Sequence, residues 1–201
     1  MTSKIFLVAD FFYRDFTGGV ELNDFSLVER FRNRGFEVEE MYCRDLSVDF
    51  LKKYKDNKFI VANFVSLGLK SVDYMINNID YVIYEHDHKY LKKRNPIFYK
   101  DFHAPEKELV NIEFFKAAKS VICLTQLAKD VIILNTGLTN VTKIGGSVWR
   151  DQDLDYILTL QEVEKNDKYA VMNSDNPIKK RQQIIQYCEK NNIPYDLIGD
   201  S

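Results

Sequence analysis

Glu85-His86-Asp87-His88 sets two imidazoles and two carboxylates within four consecutive residues, directly behind the β-rich run Tyr81-Val82-Ile83-Tyr84. Titratable groups at the end of a buried strand can hold and polarise a hydroxyl, and imidazole does so near neutral pH. If extended geometry continues past the strand, alternation sends His86 and His88 to one side. A metal centre would need a third ligand at usable spacing, and His103 sits in a separate loop. Acceptor binding therefore ranks first, packing of a strand-end histidine second and a metal last. A second candidate is the loop at 10–21, which closes with Gly18-Gly19-Val20-Glu21 at the start of a helix. The glycines allow close approach to the backbone, and the helix start offers N–H groups to a phosphate or sugar oxygen. Glu21 also suits the helix dipole, and for Gly-Gly alone a flexible turn is the simpler account. Neither G-x-G-x-x-G nor a Walker loop is present, so dinucleotide and P-loop chemistry lack support. Third, Lys89, Lys92, Lys93, Arg94 and Lys100 interleave with Tyr90, Phe98, Tyr99 and Phe102, and Asn95-Pro96 and Ala104-Pro105 mark a long surface loop. Cations there can meet phosphate while aromatics stack on a ring. The ordinary alternative is a solvated charged face.

These positions matter only if their strands share a sheet. Short apolar runs at 5–9, 38–43, 59–62, 81–84 and 120–124 alternate with helix-compatible stretches. Continuous apolar strands separated by helices predict a parallel sheet covered on both faces. The first helix carries Leu22, Phe25, Leu27, Val28 and Phe31 as its apolar face, Arg30, Arg32 and Arg34 towards its end, and Gly35 as its stop. Further helices are predicted at about 66–77, 108–118 and 126–135, and a strand at 141–144 runs into Gly145-Gly146-Ser147. The expected fold is α/β, a doubly wound, mostly parallel Rossmann-like sheet whose ligands meet the carboxyl ends of the strands. Residues 1–150 form that domain, 151–167 a polar connector, and 168–201 a βαβ stub opening a second domain, with its strand at 168–172, helix at 178–191 and strand at 195–198. A whole domain of that kind would need on the order of 100–150 residues.

Composition narrows the partners. The chain has 201 residues, 45% of them hydrophobic, which suffices for a substantial core. Its 28 basic and 30 acidic residues leave a net charge of -2, so no global field holds a polyanion, although a local patch can. Cys43, Cys123 and Cys188 show no paired or metal-type spacing and read as buried, reduced thiols. No apolar run approaches the roughly 20 residues of a membrane span, and Met1-Thr2-Ser3-Lys4 leads straight into a strand. A soluble, cytoplasmic protein is expected.

With these residues in place, the chain resembles the GT-B glycosyltransferases over essentially its whole length, particularly the retaining family 4 group. Gly18-Gly19-Val20-Glu21 is similar to that family's GGxE loop, His86 falls where an acceptor-side histidine is common, and Ile144-Gly145-Gly146-Ser147-Val148 is similar to the segment closing the N-terminal domain. Lys179 fits a lysine that meets the donor diphosphate, while Asn173 or Ser174 stands where that group carries arginine. The family's E-x7-E motif is not found in the stub. Glu21 and Glu29 share the spacing by chance. Tyr84-Glu85-His86-Asp87-His88, with Leu91 and Arg94-Asn95 beyond, also resembles a segment of phage DNA α-glucosyltransferases. The resemblance implies sugar transfer from a nucleotide sugar to a hydroxyl acceptor, a carbohydrate, lipid-linked sugar or modified DNA, with no cofactor and no metal. It implies His86 and Asp87 as catalytic residues, Gly18, Gly19, Glu21, His88 and Arg94 against substrate, and Ser174 and Lys179 against the donor. With so little donor-binding sequence, the chain alone is expected to fold but not to transfer at a useful rate. The competing expectations are a noncatalytic carbohydrate- or nucleotide-binding module, or one subunit of a split enzyme with a second donor-domain chain or a homo-oligomer completing it. A flavodoxin-like or receiver-like domain ranks third, because the first loop lacks the paired acids a receiver needs.

Overall fold

The computed structural model describes residues 4–15 and 17–199. Met1 to Ser3, and Phe16 of the first loop, lie outside the described residues. The chain divides into two compact units, Met1–Leu154 and Asp155–Ser201.

In the first unit, β1 (Ile5–Ala9) is buried along its whole length. Its alternation serves two cores at once: Phe6 and Val8 enter one cluster, and Ile5, Leu7 and Ala9 enter the other. That division is why the strand is apolar throughout rather than alternating. The elements α1 (Gly19–Asn33), β2 (Val38–Tyr42), α2 (Val48–Lys53), β3 (Lys58–Val61), α3 (Leu69–Asn78), β4 (Tyr81–Glu85), α4 (Ile112–Ala117), β5 (Ser120–Cys123), α5 (Gln126–Thr136) and β6 (Val141–Lys143) follow. The six strands pair in the order β2-β1-β3-β4-β5-β6, every pair parallel. Val28 of α1 packs on one face of the sheet, and Leu51, Met75, Phe114 and Ile132 of α2 to α5 pack on the other, so the doubly wound Rossmann-like fold is present. Chain order reverses between β1 and β3, and the crevice at such a switch point is where ligands bind in folds of this type.

Two elements depart most from expectation. The helix expected from about 108 begins at Ile112, because Leu109 bridges Leu91 and the Val110 amide donates to the Tyr90 carbonyl at 2.9 Å, which holds that stretch extended. Helix α2 was not foreseen; it is six residues long, too short for a periodic signal, and rests on Ser47, whose hydroxyl accepts from the Phe50 amide at 3.2 Å. Helix α5 shows both end signals, a Thr125 cap and Gly137 in the left-handed region at φ 66.

Helix α6 (Asp151–Thr159) leaves the first unit, its start fastened by Arg150 to Asp153 and by Arg30 to Asp151 at 2.8 Å. The second unit is a single βαβ, with β7 (Tyr169–Met172) pairing parallel to β8 (Tyr195–Ile198) across α7 (Arg181–Lys190). No helix among the described residues is long and apolar enough to cross a membrane.

Candidate functional site

The switch point is closed by a carboxylate. Asp10, the residue after β1, accepts from the Val65 amide at 2.7 Å and the Ser66 amide at 2.9 Å, and from the Ser66 hydroxyl. One side chain thereby ties the loop after β3 to the end of β1. Sequence reading passed over Asp10 as the opening of a long polar loop, although an acid directly behind a continuous apolar strand is a usable signal.

The wall facing this point is the first half of α1. Its most buried residues are Glu21, Asn23, Asp24, Ser26 and Val28, so the inward stripe starts polar and turns apolar one turn later. The apolar face predicted from Leu22 and Phe25 is therefore corrected: both are only half-buried, and Phe25 stacks on Tyr13 with ring centroids 5.0 Å apart. The polar stripe meets the end of β4. Tyr84 donates its hydroxyl to Asn23 Oδ1, and His86 Nε2 lies 3.0 Å from Asp24 Oδ1. A carboxylate oxygen accepts, so Nε2 is the donor of this bond. The His86 and Asp24 side chains keep 3% and 1% of their accessible surface.

Burial raises the Glu21 carboxyl above the usual range; Asp24 and Asp87 push it the same way, and its own backbone amide and His86 oppose. Gly18 is extended at φ −109 and Gly19 is helical, so neither needs glycine for its backbone angles, and a Cβ on Gly19 would meet nothing within 4 Å. Gly19 thus leaves open space at the helix start. The Asp24 to His86 bond joins α1, one turn past Glu21, to the segment at 85–88 at the carboxyl end of the sheet.

His86 and His88 part company. Glu85 ends the strand and His88 turns to φ 57, so alternation stops; its Nδ1 meets the Tyr90 hydroxyl at 2.8 Å, and Tyr90 belongs to the opposite core cluster from Tyr84. Burial lowers the His88 pKa below the usual imidazole value, against the pull of Glu85 and Asp87. Asp87 is the open member of the segment, its side chain 39% exposed. It takes the Lys89 ammonium on one oxygen and Arg94 at 3.4 Å on the other. Glu85 folds back to accept from the Asp87 amide at 2.8 Å and stands 3.7 Å from Lys89 Nζ.

Asp24 Oδ2, Glu85 Oε2 and Asn23 Nδ2 have no hydrogen-bond partner among the described residues. Buried polar atoms are seldom left so, and each such atom costs about 1–3 kcal/mol. Three of them gather where α1 meets the end of β4, which keeps that place polar. No group of three or more metal-ligating side chains occurs among the described residues.

In the second unit, a cavity of 340 Å³ opens behind β7, lined by Ser174, Asp175, Asn176, Lys180 and Arg181 among others. Arg181 bonds Asn173 Oδ1 at 2.7 Å and Asp175 at 2.5 Å. Ser174 lines this cavity and Lys179 does not. Lys180 and Arg181, unremarked in the sequence, are the cations that do.

No protein-family description and no curated relative matches the chain. Among solved structures it is similar to an alpha-glucosyltransferase in complex with UDP and a 13-mer DNA containing an HMU base, with a TM-score of 0.53 and 15% identity. The match covers 94% of this chain and 53% of that one, so the chain spans about half the length of that protein. At this identity the likeness establishes the fold, an α/β Rossmann-like sheet. A similarity to a XylFII-LytSN complex, with a TM-score of 0.30 and 14% identity over 100% of this chain and 59% of that one, is too weak to bear on it.

Proposed function

We propose that the chain carries the acceptor-side domain of a GT-B glycosyltransferase and the opening of its nucleotide-sugar domain, and serves transfer of a sugar to a hydroxyl acceptor. The observation that carries this is the polar cluster at the carboxyl ends of β1, β3 and β4, with three unpartnered buried polar atoms beside an open Asp87. The shared fold with a UDP-bound glucosyltransferase supports it. Asp87 is the carboxylate placed to accept from an acceptor hydroxyl, with Lys89 and Arg94 holding it in place. His86 stands behind, its Nε2 fixed by Asp24, and acts on the acceptor through the loop it orients. Gly18 and Gly19 leave room for a sugar or phosphate, and Glu21 closes that side. Retention of configuration and a family 4 affiliation belong to the proposal through the sequence resemblance. Ser174, Lys179 and the neighbouring Lys180 and Arg181 are assigned to the donor diphosphate, whose growing charge as the glycosidic bond breaks needs cations nearby.

The burial of the His86 ring favours a second reading, a noncatalytic binding module whose histidine is structural. Amide-shift mapping of the chain with hydroxymethylated DNA and simple glycosides tests acceptor binding. Saturable shifts at 18–24 and 85–89 are expected with one acceptor class. Shifts confined to other surfaces, or none from any compound, would overturn the assignment.

A further inference from the structure

Lys89 and Arg94, which hold Asp87, also line a cavity of 450 Å³ between α3 and the segment after β4. Its size lies in the range of small-molecule sites, roughly 300–1,000 Å³. The floor is buried and apolar, formed by Phe64, Leu91 and Phe114, and Val72 and Val110 form the sides. Its edge is cationic: Lys89, Lys92 and Arg94 all face it. The Lys89 side chain is 3% exposed and its ammonium sits 5.8 Å from the Phe64 ring centroid, so this charge is built into the wall. Lys89 and Arg94 are shared with Asp87, Lys89 also with Glu85, and Lys92 gives its ammonium to the Lys107 carbonyl at 2.5 Å. Three cations against two carboxylates leave one positive charge over an apolar floor. Leu69, 81% exposed, stands at the mouth in the first turn of α3.

An apolar floor alone would take any hydrophobe, and cations alone any anion; the two together select a molecule with both parts. We infer that this cavity binds a phosphate monoester of an apolar alcohol or phenol, its ring or short chain on the Phe64 and Phe114 floor and its phosphate between Lys92 and Arg94. Because Asp87 shares Arg94, a second hydroxyl carried on the same molecule would lie beside Asp87. The assignment of this molecule as the sugar acceptor rests on the transferase reading above, whereas its binding does not.

The test is an amide-shift titration of the full chain with phenyl phosphate, with inorganic phosphate and phenol as separate arms. Phenyl phosphate is expected to shift Leu69, Val72, Arg94 and Val110 saturably, with a Kd on the order of millimolar for so small a ligand. Each separate arm should bind at least about tenfold more weakly. The K92A/R94A double variant and, independently, Leu69→Glu, which sets a carboxylate at the mouth on an exposed helix position, should each weaken phenyl phosphate about tenfold. Absence of saturable shifts at these amides, inorganic phosphate binding as tightly as phenyl phosphate, or unchanged affinity in the double variant would overturn the inference. Phenyl phosphate binding with no shifts at 18–24 and 85–89 from hydroxymethylated DNA or glycosides would overturn the acceptor-site reading and leave this cavity standing; those shifts without phenyl phosphate binding would do the reverse.

Discussion

Asp24 and His86 lie 62 positions apart and bond at 3.0 Å. Asp24→Ala would leave a buried ring nitrogen unpaired, and a loss of about 1–3 kcal/mol is expected in urea unfolding. Asp24→Asn keeps an accepting oxygen and should cost less than half of that. An alanine variant with an unchanged midpoint would show that the pair holds nothing. Glu21 has its folded pKa above the ordinary value, so its burial is costless while protonated, below about pH 4.3, and destabilises increasingly as pH rises through the folded value. Glu21→Gln should therefore be more stable than the natural chain at pH 8, with the difference closing near pH 4. His88 runs the other way: with its folded pKa lowered, its contribution is present above about pH 6.5 and lost as pH falls. A pH 5 to 8 stability series of His88→Gln against the natural chain should show that loss in the natural chain alone. Of these residues the sequence showed His86, Asp87 and His88, because titratable groups behind an apolar run are visible locally. Asn23 and Asp24 were not visible, since a polar residue on an amphipathic helix reads as solvated until a distant partner buries it; Asp10 lay directly behind an apolar strand, and Lys89 showed as a cation of a surface loop although it is buried.

At the scale of elements, α1 shows how a helix start is given over to a ligand site. Its inward stripe passes from Glu21 and Asp24 to Val28, so apolar packing anchors only its later turns. Gly19 is helical with open space where a Cβ would go, and Gly19→Ala should leave the fold as stable or up to about 1 kcal/mol more stable while weakening acceptor binding. Gly137 offers the contrast: it is also free of neighbours, but at φ 66 it caps α5, so Gly137→Ala should cost about 1–2 kcal/mol. Thermal unfolding of the two variants separates an open-space glycine from a backbone glycine, and equal losses would refute the distinction. The strands were legible because a parallel sheet covered on both faces demands unbroken apolar runs. The start of α4 was not, because the pairing of Leu91 with Leu109 outweighs local helix preference.

For the whole molecule, the six-stranded sheet and both core clusters lie within the first unit. Residues 1–154 should therefore fold without the rest, giving a dispersed amide spectrum that overlays that of the full chain at 5–143. Collapse of that spectrum would show that the second unit is required. The strand order, with its reversal between β1 and β3, places Asp10, Asp24, His86 and Asp87 at one end of one sheet, which no single segment of sequence displays. Whether that end handles an acceptor hydroxyl is tested most directly by offering labelled nucleotide sugars with hydroxymethylated DNA, simple glycosides and hydroxyaryl phosphates to the natural chain and to Asp87→Asn. We expect labelled product from the natural chain, formed far more slowly than the common enzyme rate of about 10 per second. Asp87→Asn should lower that rate about 10²- to 10⁴-fold, with an amide spectrum that shows the fold retained. Product formed near that common rate, or equal rates from the two proteins, would contradict the account.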